Sequence, residues 1–79
     1  MPHAHYRIDA SFSPGVLSRV IKPFQVRNVE LDKVEASRVN DEQQNILLET
    51  ASLSEHEASI VAAKISQIPY VSKIEFNVT

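Results

Sequence analysis

Cysteine and tryptophan are absent from this chain, and glycine occurs only once, at position 15. Without cysteine the chain has no disulfide, no thiol nucleophile and no Cys-x-x-Cys metal or redox site. No apolar run approaches the roughly 18 residues that a membrane-spanning helix needs, and the N-terminal segment lacks the apolar region of a signal peptide. We therefore expect a soluble protein of the cytoplasm that inserts into no membrane.

Positive charge is also scarce, with 8 basic residues against 10 acidic residues and a net charge of -2. This balance argues against a broad basic surface for nucleic acid or anionic lipid. A length of 79 residues, with 43% apolar and 23% charged residues, predicts one small globular domain over residues 1–79. Because so small a core buries a modest fraction of its surface, we expect a partner chain to add stability.

The first part of the chain changes from the period of a strand to the period of a helix. Apolar residues alternate with polar ones from Tyr6 to Phe12 and then recur at helical spacing. Ser13 is predicted to be the N-cap and Pro14 the first helical residue, with the helix running from about Gly15 to Val26. Asn28 is expected to end it in the left-handed backbone conformation.

The remainder contains two strands joined by a polar turn, a second helix and a final strand. A strand is predicted over Val29–Val39, with a bulge between Leu31 and Val34, and a turn over 40–44 leads to a strand over 45–52. A helix is predicted to follow a capping box of Ser54 and Glu57 and to stop before Pro69. The last predicted element is a strand over Val71–Val78.

This order of elements is the βαββαβ pattern of the ferredoxin-like fold, an α+β class with a four-stranded antiparallel sheet and two helices on one face. Even-numbered residues of the first, third and fourth strands are expected to face the helices. Odd-numbered residues leave a mixed-charge open face. In this topology the second strand lies at an edge, so Val29, Leu31 and Val34 are predicted to form the interface of a homodimer.

Candidates for catalysis are few. His3 and His5 project to one side of an extended segment, but no third ligand completes a metal site. An enzyme that uses Asp9, Glu49 or Glu75 with His56 has no spacing that indicates a paired nucleophile and base. An RNA-binding sheet would need aromatic residues in the 45–52 strand, which has none. An anion loop of the acylphosphatase type would need an arginine beside the turn, where we expect none. We predict no catalytic residue, metal or cofactor.

One stretch carries a family resemblance. Residues 13–20, Ser-Pro-Gly-Val-Leu-Ser-Arg-Val, followed by Phe24 and by Asn28-Val29-Glu30-Leu31, resemble the start of an ACT domain. More narrowly, they are similar to the small regulatory subunit of acetohydroxyacid synthase, in a length that resembles its short form. The resemblance implies a non-catalytic homodimer that docks on the thiamine-diphosphate-dependent catalytic large subunit and activates or stabilises it in branched-chain amino-acid biosynthesis. The alternative is a free-standing ACT sensor that regulates a different enzyme.

The same resemblance implies where an amino-acid effector would bind, between the first turn and the second strand of the neighbouring copy. The implied ligand-binding residues are Ser13, Gly15, Val16, Leu17, Glu30 and Leu31. At two positions where valine-binding relatives carry Asn or Asp, this chain has Phe12 and Glu30, which predicts weak binding of valine. Gly15 and the N–H groups of Val16 and Leu17 are then the expected anion-binding elements.

Overall fold

The computed structural model describes residues 3–79, which form six elements along the chain. They are β1 (Ala4–Ser11), α1 (Val16–Val26), β2 (Lys33–Arg38), β3 (Gln43–Thr50), α2 (Glu55–Ser66) and β4 (Val71–Val78). The strands make one sheet in the order β2-β3-β1-β4, and every neighbouring pair is antiparallel. The predicted ferredoxin-like βαββαβ fold is confirmed.

The core lies between one face of the sheet and the two helices. Burial alternates along β1 and β3, as expected for strands with one covered face. The buried strand residues are Ala4, Tyr6, Ile8, Ala10, Gln44, Ile46, Leu48 and Thr50, and the buried helix residues are Val16, Val20, Phe24, Ala58, Val61, Ala62 and Ile65. On β4, Ile74 and Val78 are only half-buried and Phe76 is 38% exposed, because β4 lies at an edge of the sheet.

Tyr6 connects the sheet to both helices. Its side chain is 2% exposed, its hydroxyl donates a hydrogen bond to the carbonyl oxygen of Ala58 at 2.8 Å, and its ring meets the Phe24 ring edge-on with centroids 5.3 Å apart. Burial disfavours the phenolate and raises the pKa of Tyr6 to about 12. Tyr6 is therefore a structural residue of the core.

The start of α1 differs from the sequence prediction. Gly15, not Ser13, is the residue before the helix; it has φ 83° and ψ -9°, and no side chain caps the helix. The Val16 N–H points to the Ser13 carbonyl oxygen at 3.4 Å, and the angles of Gly15 are those of the third residue of a type II turn, where Pro is favoured at the second. Ser13 and Pro14 are therefore turn residues, because the preference of Pro14 and Gly15 for a type II turn outweighs the preference of Ser13 for capping the helix.

The end of α1 confirms the role predicted for Asn28, whose φ is 56°. Its N–H donates to the Gln25 carbonyl oxygen at 3.1 Å, and the Val29 N–H donates to the Phe24 carbonyl oxygen at 2.9 Å. These two bonds form the Schellman motif that satisfies the last carbonyl groups of a helix. An asparagine takes the position that glycine usually holds.

The second strand is shorter than predicted. β2 covers Lys33–Arg38, so Val29 and Leu31 lie in the connection before it, half-buried against the core. The Thr50 hydroxyl donates to the Glu30 carbonyl oxygen at 2.6 Å and holds this connection beyond the end of β3, where no strand is available for pairing. The predicted bulge in this segment is wrong; the register shift lies between Asp9 and Ala10, opposite β4.

The start of α2 confirms Ser54 as an N-cap. The Ser54 hydroxyl accepts a hydrogen bond from the Glu57 N–H at 3.2 Å and donates to the Glu57 carboxylate at 3.1 Å. The carboxylate therefore binds the serine side chain, whereas a full capping box would have it bind the serine N–H. The helix ends at Ser66, before Pro69, as predicted.

These two helix starts predict losses of different size for the same kind of substitution. Ser54→Ala removes a cap and is expected to lower the free energy of unfolding by about 1 kcal/mol. Ser13→Ala is expected to change it by less than about 0.5 kcal/mol, because Ser13 caps nothing. Urea unfolding followed by circular dichroism measures both, and an equal loss in the two variants would contradict the placement of Gly15 before α1.

Candidate ligand site

The turn between β1 and α1 lies at one end of the sheet, between two other loops. The Phe12 N–H donates to the Glu42 carbonyl oxygen at 2.8 Å, and the Ser11 N–H donates to the Tyr70 carbonyl oxygen at 2.8 Å. The buried Gln44 side chain donates to the Ser11 carbonyl oxygen at 2.9 Å. The turn is therefore attached to the β2–β3 hairpin on one side and to the residue before β4 on the other.

The two predicted ligand-binding residues that follow Gly15 expose little of their side chains. Val16 is buried and Leu17 is half-buried against the core, so their side chains are already used. The Val16 N–H serves the turn itself, while the N–H groups of Leu17 and Ser18 have no acceptor among residues 3–79. Apart from Gly15 and its two chain neighbours, no residue has an atom within 4 Å of where a Cβ on Gly15 would be, which leaves this backbone open on its outer side.

Arg38 is a charged neighbour of the turn that sequence reasoning missed. Its guanidinium lies 4.5 Å from the centroid of the Phe12 ring, and it pairs with the Asp41 carboxylate at 2.8 Å. The expectation that no arginine stands beside the turn is therefore wrong. The strand register could have predicted this contact, because Ser11 lies opposite Gln43 and Arg38 lies opposite Gln44.

The other half of the predicted site lies at the far end of the sheet. Glu30 is exposed and Leu31 half-buried in the connection before β2, held there by Thr50. Thr50 pairs with Ala4 at the start of β1, whereas the turn follows the end of β1, where Ser11 pairs with Gln43. Seven residue steps of β3 separate the two ends, or about 23 Å. One chain therefore brings Ser13, Gly15, Val16 and Leu17 together but leaves Glu30 and Leu31 apart from them.

The open face of the sheet carries the mixed charges that the sequence predicted, in a shallow depression of about 520 Å³. Lys73 and Glu75 are paired at 2.9 Å, and their hydrogen bond raises the pKa of Lys73 and lowers the pKa of Glu75. His56 lies in the first turn of α2, which packs against the other face of the sheet. The acids of the enzyme hypothesis, Asp9, Glu49 and Glu75, are therefore not brought together with His56.

Within residues 3–79, no group of three or more His, Cys, Asp or Glu side chains is arranged to hold a metal ion. His5 instead approaches the Glu49 carboxylate at 3.5 Å. In the same part of the chain, neither helix has the length and apolar character needed to cross a membrane.

The sequence matches one known protein family. The family model described as ACT-like domain matches residues 1–79, the whole sequence. Among curated proteins, none matches the chain.

Solved structures with the same fold include an ACT domain and parts of two larger proteins. The ACT domain of GTP pyrophosphokinase from Chlorobium tepidum superposes with a TM-score of 0.79 at 12% identity, covering 95% of this chain and 96% of that one. A homoserine dehydrogenase from Thiobacillus denitrificans gives 0.76 at 26% identity, covering 96% and 17%. The regulatory subunit of aspartate kinase from Thermus thermophilus gives 0.73 at 14% identity, covering 95% and 50%.

Proposed function

Because the chain belongs to the ACT-like domain family, we propose that it is a non-catalytic regulatory module of a cytoplasmic biosynthetic enzyme. It pairs with a second copy through β2 and binds an amino-acid effector between the two copies. The observation that carries this proposal is the separation of the predicted site into two halves at opposite ends of one sheet. Each half then needs a complement from outside its own chain.

A two-fold homodimer would supply that complement. When identical edge strands pair antiparallel about a two-fold axis, the start of one strand lies beside the end of the other. The end of β2, at Arg38, is next to the Phe12 side chain. Pairing through β2 would therefore bring Glu30 and Leu31 of one copy towards the Gly15 turn of the other.

The exposed edge of β2 supports this mode of pairing. All six residues of β2 are exposed, and Val34 on its helix-facing side is 42% exposed. An edge strand has unpaired backbone groups that are ready to pair with another strand. Of the predicted interface residues, Val34 lies on this edge, while Val29 and Leu31 lie before it.

The chemistry of the two halves suits a zwitterionic amino acid. The N–H groups of Leu17 and Ser18 would bind the carboxylate, as open helix starts do, and Glu30 of the other copy would attract the ammonium. Phe12 offers no hydrogen bond, so we expect valine, leucine and isoleucine to bind weakly.

The first candidate for the regulated enzyme is the catalytic large subunit of acetohydroxyacid synthase, as the Ser-Pro-Gly-Val-Leu motif implies. The second is another enzyme of amino-acid metabolism, favoured by the similarity to segments of a homoserine dehydrogenase and of an aspartate kinase regulatory subunit. Purification of the tagged chain from its native cells, followed by identification of the bound proteins, separates the two. Recovery of the large subunit supports the first, and another enzyme in its place supports the second.

Effector binding is tested on the purified chain by calorimetric titration with each of the twenty amino acids. Saturable heat with at least one, together with little heat from valine, leucine and isoleucine, is the expected pattern. Tight valine binding would contradict the part assigned to Phe12. A chain that binds none of the twenty and has no enzyme partner would overturn the regulatory proposal.

Val34→Lys is expected to weaken the homodimer at least about tenfold, because it places two like charges at the strand pair. Sedimentation velocity over a range of protein concentrations measures the change. Val26→Lys is the matched control, since Val26 is 72% exposed and lies on α1, away from β2. If Val26→Lys dissociates the dimer and Val34→Lys does not, the copies pair through the helices.

A further inference from the structure

We infer that a groove between α1 and α2 docks an acidic, amphipathic segment of the protein that this module regulates, an inference that rests on the proposed regulatory function. This basic groove has a volume of about 340 Å³. Its charged lining consists of Arg19, Lys22, Arg27 and Lys64, and its apolar lining consists of Pro23, Val26 and Ile68.

The groove follows from helical spacing on α1. Its residues recur at intervals of three and four, which places them in one stripe along the helix. The core stripe of α1 is a different one, formed by Val16, Val20 and Phe24. Lys64 and Ile68, at the end of α2, complete the groove from the other side. Half of the eight basic residues of the chain thus meet at one surface.

The charges of the groove are not neutralised by the chain itself. Three of the four basic residues outside it form ion pairs, namely Lys33 with Glu35, Arg38 with Asp41 and Lys73 with Glu75. In the described residues none of the four groove cations has an acidic partner within 4 Å, and no acidic residue lines the groove. In a chain of net charge -2, such a concentration of one sign attracts an anionic partner.

Arg27 adds a further uncompensated polar group at the groove. Its Nε is buried and has no hydrogen-bond partner among residues 3–79. Unpaired buried donors are uncommon in folded proteins because each loses its hydration without compensation. A docked segment would not reach the buried Nε itself, but a carboxylate beside the same guanidinium would offset the cost by attraction between opposite charges.

The apolar lining decides between a small anion and a peptide. Val26 is 72% exposed and lies among the cations together with Pro23 and Ile68. An inorganic anion would leave this apolar surface in water, whereas an amphipathic helix would cover it and pair its flanking carboxylates with the rim. The occupant is therefore a protein segment with apolar residues at helical spacing and acidic residues on both sides.

The test uses the full chain labelled with ¹⁵N and a synthetic helical peptide of about 16 residues, with leucine on one face, glutamate on both flanks of that face and alanine elsewhere. A second peptide carries glutamine in place of every glutamate, and inorganic triphosphate serves as the small anion. We expect the acidic peptide to shift the backbone amide resonances of the groove residues. The glutamine peptide is expected to bind at least about fivefold more weakly, since the ion pairs are lost.

The variants have a matched design. Lys22→Gln combined with Lys64→Gln removes two groove charges, while Lys33→Gln combined with Lys73→Gln removes two charges from the sheet and changes the net charge equally. The first pair is expected to weaken peptide binding roughly five- to tenfold and the second less than about twofold. Equal weakening in both pairs would show attraction by net charge alone and would overturn the inference.

Other outcomes also contradict it. Triphosphate that shifts the same resonances while the peptide does not would make the groove a small-anion site. Shifts of those resonances with protein concentration alone would make it a contact between copies of this chain. Absence of any shift with the acidic peptide would leave the groove without the proposed occupant. Because dimerisation through β2 and effector binding are measured separately, failure of the groove is distinguishable from failure of the proposed function.

Discussion

Phe24→Ala is expected to lower the free energy of unfolding by about 3–5 kcal/mol. The ring is fully buried and packs edge-on against Tyr6, so its removal loses apolar burial and an aromatic pair and leaves a cavity. A chain of 79 residues has a total stability of about 4–12 kcal/mol. This one substitution therefore removes a large share of it.

Val26→Ala is the control, since Val26 lies two residues later on the same helix and is 72% exposed. It is expected to change the free energy of unfolding by less than about 0.5 kcal/mol. Urea unfolding at several protein concentrations measures both variants and separates folding from dimerisation. If Phe24→Ala does not fold, Phe24→Leu is expected to fold with a smaller loss. Similar losses at positions 24 and 26 would contradict the assignment of the buried face of α1.

Raising the pH from 10 to 12 is expected to lower the free energy of unfolding by about 2 kcal/mol through Tyr6 alone. In the unfolded chain Tyr6 loses its proton near pH 10, whereas in the folded chain burial holds the pKa at about 12. Between these values the unfolded state binds fewer protons than the folded state, so stability falls as the pH rises. Below pH 10 both states keep the proton and the contribution of Tyr6 is fully present.

Tyr6→Phe isolates the contribution of Tyr6 to this effect. At pH 8 the variant is expected to be about 1 kcal/mol less stable, because it loses the hydrogen bond to the Ala58 carbonyl oxygen. Its stability is expected to fall less steeply, so that the two curves cross near pH 11. Parallel curves from pH 9 to 12 would show that Tyr6 does not titrate as its burial requires.

Much of the architecture follows from local patterns. Alternation from Tyr6 to Phe12 and from Ile46 to Thr50 predicted which faces are buried, because a strand shows every second side chain to the core. Helical spacing predicted the buried stripes of α1 and α2 for the same kind of reason. The positions of Asn28 at the end of α1 and of Ser54 before α2 were predicted correctly, because helix ends are favoured by properties of single residues.

Predictions failed where two local preferences competed or where a distant group decided the outcome. Ser13 is a good N-cap in isolation, but Pro14 and Gly15 favour a type II turn that places the helix start after the glycine. The segment from Val29 to Asp32 has an apolar pattern consistent with a strand, yet a strand needs a neighbour, and β3 offers one only from Lys33 onwards.

The sequence by itself determined the order of elements, the buried faces and the ACT-like turn around Gly15, since each depends on residues close together in the chain. Only the tertiary structure decided what surrounds that turn. Its strand register places Arg38 over Phe12 and places Glu30 and Leu31 at the opposite end of the sheet from the turn. Its helix packing brings Lys64 of α2 beside the basic residues of α1. Contacts between residues far apart in sequence depend on strand register and helix packing, which no local pattern encodes.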